Sequence, residues 1–80
     1  MQTVAQLFGS RLREIRKRKG LSQERLAEAT ALSTNYIGEM ERGLKAPGLA
    51  VIVRLSRALG VTVHDLLIDF SEVNVRRLRI

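Results

Sequence analysis

A chain of 80 residues has room for one compact domain and not for the two-lobed arrangement with which an enzyme encloses a substrate. With 45% hydrophobic and 28% charged residues it can build a core, and with no cysteine it excludes disulfide stapling and thiolate metal sites, which suits a reducing, cytoplasmic setting. Fourteen Lys and Arg against eight Asp and Glu leave +6, so a polyanionic partner is expected. The longest apolar run, Leu49 to Val53, falls far short of the roughly 20 residues of a bilayer span, so no membrane partner is.

The excess charge sits at the start: residues 1–20 carry +5, residues 21–68 carry 0 and residues 69–80 carry +1. Thr3 with Gln6 three positions on reads as a capping box. It opens a first helix over about residues 4–19, with Phe8, Leu12 and Ile15 at helical spacing and Gly20 as the stop. The run Arg16-Lys17-Arg18-Lys19 lies in its last turn, where cations suit the negative end of the helix dipole, so part of it needs no ligand. Ser22 caps a short second helix through about Thr30, with Gln23 and Glu24 in its first turn and Leu26, Ala27 and Thr30 on one face.

Ser33 caps a third helix that runs to Arg42 before Gly43. At 100° per residue Ile37 and Met40 turn inward, Asn35, Glu39 and Arg42 face the opposite way, and Tyr36 lies on a flank. Lys45, Ala46 and Pro47 form a turn. Leu49, Ile52, Leu55 and Leu59 then mark a fourth helix closed by Gly60. Thr62 and Asp65 make a second capping box, with Val61 stapling onto Leu66, and the fifth helix ends near Ile68. The tail from Asp69 to Ile80 shows no clean period and is left unassigned.

Two short helices joined by a tight turn, the second with an outward polar face, form the arrangement that inserts a recognition helix into the DNA major groove. Leu21-Ser22-Gln23-Glu24-Arg25-Leu26-Ala27, then Tyr36-Ile37-Gly38-Glu39-Met40-Glu41-Arg42-Gly43, Pro47 and Ala58-Leu59-Gly60-Val61 resemble the Cro/repressor-type helix-turn-helix domain, the XRE family, over about residues 7–67. The resemblance implies an all-α, five-helix, lambda-repressor-like domain over residues 1–68, with residues 69–80 as a tail that serves dimerisation. It also implies a sequence-specific regulator of transcription. Thr34, Asn35, Tyr36 and Glu39 match positions that face base edges, while Ser22, Gln23, Arg42 and Lys45 fall at positions for holding phosphates, and Gln23 also at one that braces the recognition helix. Arg16 and Glu41 match a structural ion pair between the first and third helices. The chemistry agrees: Asn pairs bidentately with adenine, Glu accepts from cytosine N4, and a helix N-terminus favours an anion.

Two positions depart from the family pattern. Ala31 stands where the turn usually has glycine; a left-handed conformation there costs roughly 1 kcal/mol. Ala50 and Val51 stand where the fourth helix is usually polar, which points to an apolar patch used between subunits. Val51, Val53, Val73 and Val75 are therefore the candidate interface of a homodimer, whose two-fold symmetry requires an inverted-repeat operator on double-stranded DNA. Phage-type repressors and restriction-modification controllers are similar in size. The rival reading is an antitoxin or another interaction module that binds DNA secondarily. No enzyme is expected, since His64 is the one histidine and no serine stands in a nucleophile setting; neither a metal, a cofactor nor a small-molecule effector is expected.

Overall fold

Side-chain caps set where the helices begin. Thr3 and Gln6 form a reciprocal capping box, as do Thr62 and Asp65, while the hydroxyls of Ser22 and Ser33 accept from the N–H groups of Arg25 and Tyr36. The N–H of Thr62 donates to the Asp65 carboxylate at 3.0 Å and holds that carboxyl below its ordinary pKa. The computed structural model describes residues 1–80 as six helices: α1 Val4–Arg18, α2 Gln23–Thr30, α3 Thr34–Glu41, α4 Leu49–Leu59, α5 Val63–Leu66 and α6 Glu72–Arg77. The fold is all-α, and no helix is long and apolar enough to cross a membrane.

One core joins the first five helices: Phe8, Leu12 and Ile15 from α1, Leu26 and Ala27 from α2, Ile37 and Met40 from α3, Ile52, Leu55 and Leu59 from α4, and Leu66 from α5. Burial of each large side chain contributes about 1.5–3 kcal/mol. α3 is held between α1 and α2, and α4 with α5 closes the far side. The crossing of α1 and α3 depends on Gly9, where an added Cβ would collide with the Met40 carbonyl oxygen. No side chain fits there without prising the two helices apart.

Three features differ from the sequence expectation. There are six helices, not five, because Ser71 caps α6 within the tail and Asn74 anchors it by donating to the Asp69 carbonyl at 2.8 Å. Six residues with no buried position leave no apolar period to read. The fifth helix stops at Leu66 rather than near Ile68; Phe70 turns back onto the core instead. Leu49, expected on the inner stripe of the fourth helix, is exposed because it sits in that helix's first turn, ahead of the buried positions Ile52, Leu55, Ser56 and Leu59. Ala31 ends α2 in the left-handed region (φ 56°), the strained conformation that glycine would adopt freely.

Candidate nucleic-acid interface

The buried frame of the site begins with a helix period. Arg16 lies on the same face of α1 as Leu12, so its guanidinium is carried inward, and α3 brings Glu41 to meet it. The pair is bidentate, with Arg16 Nε donating to Glu41 Oε2 at 2.6 Å and Nη2 to Oε1 at 3.0 Å. Arg16 Nη1 donates to the Leu21 carbonyl at 2.8 Å, and Gln23 Nε2 donates to Glu41 Oε1 at 3.1 Å. The hydrogen bond from Arg16 to Glu41 raises the arginine above its ordinary pKa, against the opposing effect of burial. With side-chain exposures of 10% for Arg16 and 2% for Glu41, four polar contacts lock α1, the loop after it, α2 and α3 into one unit. Gln23 thus spends a donor on the frame and braces α3, as the resemblance implies for this position.

α3 presents its polar side beyond that frame. Thr34 and Asn35 are exposed, Glu39 is half-buried, and Tyr36 is half-buried because its ring packs against the core. Asn35 can donate and accept in a base plane, whereas Tyr36 offers only the part of its side chain left free by packing. Arg42 is the C-cap of α3, exposed and in no ion pair. Lys45, in the following turn, pairs with Glu39 at 3.5 Å. Ser22 is exposed and occupied in capping α2.

Arg13, Arg16, Gln23, Glu41 and Arg42 line one shallow depression. Arg13 is the residue that sequence reasoning missed. It stands three positions before Arg16, so one helical turn places its exposed guanidinium beside the frame, and that i to i+3 relation is the signal that finds it. Arg11 plays a different part: its Nε donates to the Asp65 carbonyl at 2.9 Å and ties α1 to α5. Of the four valines, Val53, Val73 and Val75 are exposed, while Val51 is half-buried against the core and offers a partner less surface than its position in the sequence implied.

A family model described as helix-turn-helix, HTH_3, matches residues 12–66. Control protein C.BamHI of Bacillus amyloliquefaciens is 44% identical over 68 residues, which cover 84% of this chain and 83% of that protein. The HTH-type transcriptional regulator DdrOP3 of Deinococcus deserti is 42% identical over 57 residues, 71% of this chain but 44% of that protein, so this chain spans less than half of that relative. The crystal structure of the restriction-modification controller protein C.AhdI from Aeromonas hydrophila superposes with a TM-score of 0.75 at 44% identity, covering 78% of this chain and 94% of that one.

Proposed function

The chain belongs to the HTH_3 (XRE) helix-turn-helix family of DNA-binding transcriptional regulators, and from that premise we propose that it acts as a homodimer on an inverted-repeat operator. The observation that carries this reading is the pairing of an exposed polar face on α3 with a buried ionic frame that fixes its orientation. A reading head must be rigid to discriminate bases, and the frame supplies that rigidity. Thr34, Asn35, Glu39 and the free edge of Tyr36 read bases; Ser22, Gln23, Arg42 and Lys45 hold phosphates, with Arg13 added to that set. Glu41 stays in the frame with Arg16. Residues 1–68 are the DNA-binding unit and residues 69–80 extend it into the dimer.

Exposed Val53, Val73 and Val75 support the dimer, since apolar groups left in water favour a second copy. Likeness to controller proteins along most of their length supports a controller of a restriction-modification system. Selection of bound DNA from a random pool tests the reading. The expected product is an inverted repeat with half-site centres about 34 Å, one helical turn, apart. Sedimentation as a monomer at high concentration and on DNA overturns the dimer.

A further inference from the structure

We propose that Lys45 is a positioning residue for base readout by Glu39, in addition to any contact with the DNA backbone; the inference rests on the base-reading role of α3 proposed above. A carboxylate aimed at DNA enters a strongly negative field and needs a compensating cation. Glu39 has one: Lys45 Nζ lies 3.5 Å from its Oε1. The turn that carries Lys45 is fastened to the same residue. Gly43, left-handed at φ 74°, donates to the Met40 carbonyl at 3.1 Å, and the Leu44 N–H donates to the Glu39 carbonyl at 2.9 Å. This closing motif of the helix sets Lys45 one residue past a bond to Glu39's own backbone, which brings the two side chains within reach of each other. An ammonium has three donors and can hold a carboxylate and a phosphate together, whereas Arg42 forms no ion pair and is free for the backbone alone. A phosphate gripped by Lys45 therefore fixes where the Glu39 carboxylate stands against a base edge.

Base-preference profiles and salt dependence measured for Glu39→Gln, Lys45→Met and the double variant test this, with melting curves to verify that each is folded. Lys45→Met is expected to lower discrimination roughly tenfold at the single base position whose preference Glu39→Gln alters, and to reduce the salt slope by about one unit through the lost phosphate contact. In the Glu39→Gln background, adding Lys45→Met is expected to leave the profile where Glu39→Gln put it. If Glu39→Gln changes the profile but Lys45→Met weakens every sequence by the same factor, Lys45 is a backbone clamp and the inference is overturned. If Glu39→Gln leaves the profile unaltered, the base-reading role of Glu39 fails, and the inference falls with it.

Discussion

Glu39 and Glu41 stand two residues apart on α3 and occupy opposite environments. Two steps of a helix turn a side chain by about 200°, so one carboxylate meets the core side and the other the outer face. Glu41 is 2% exposed and bound by three hydrogen bonds; Glu39 is 22% exposed and has a single cation at 3.5 Å. The same acid is thereby a structural part in one place and an outward-facing group held by one cation in the other. Burial separates the two roles: a fully desolvated charge is costly to leave alone, whereas a half-buried one paired with a single exposed cation keeps an open side for an incoming partner.

The largest effect expected from this contrast is on folding. Glu41→Ala leaves the Arg16 guanidinium buried without its partner and should cost about 3–5 kcal/mol in denaturant unfolding. A double-mutant cycle with Arg16 is expected to show strong coupling; a coupling below about 0.3 kcal/mol would show that the two groups act independently. On the outer face, Asn35→Ala is expected to leave the unfolding curve within about 0.5 kcal/mol. It should shift the preferred base at one position per half-site by roughly 1–3 kcal/mol, read from competition binding. An unfolding cost equal to that of Glu41→Ala would erase the distinction between the two faces. The smallest effect lies in the turn that leads into α3. Ala31→Gly relieves the left-handed strain and is expected to stabilise the protein by up to about 1 kcal/mol without altering base preference. A loss of stability there would mean that the alanine methyl makes a contact worth more than the strain.

The inner face was far more legible in the sequence than the outer one. Caps at Thr3, Ser22, Ser33 and Thr62 are local chemistry, and the core positions of α1 to α3 follow from a 3.6-residue period. The meeting of Arg16 with Glu41 came from resemblance, since no local rule joins residues 25 positions apart. Contacts that depend on how helices cross were not legible. Gly9 reads as an ordinary helix glycine until α3 lies against it, and the resemblance gives Gln23 a bracing role without naming Glu41 as the group its amide meets. The pairing of Glu39 with Lys45 is hidden for another reason: it depends on the turn after α3 folding back over the helix end, which no hydrophobic period encodes. α6 escaped notice because a cap at Ser71 and an anchor at Asn74 order it, and hydrophobic patterning does not.

The close approach at Gly9 also bears on how the molecule assembles. Glycine in a helix interior weakens that helix by about 1 kcal/mol relative to alanine. The capping box at Thr3 and the cations in its last turn favour α1 locally, but a helix of 15 residues is marginal in isolation. α1 therefore gains its order by docking against the Met40 and Glu41 backbone. The same close approach that completes the core therefore sets the orientation in which α3 presents its polar face, so packing and presentation are one geometric constraint.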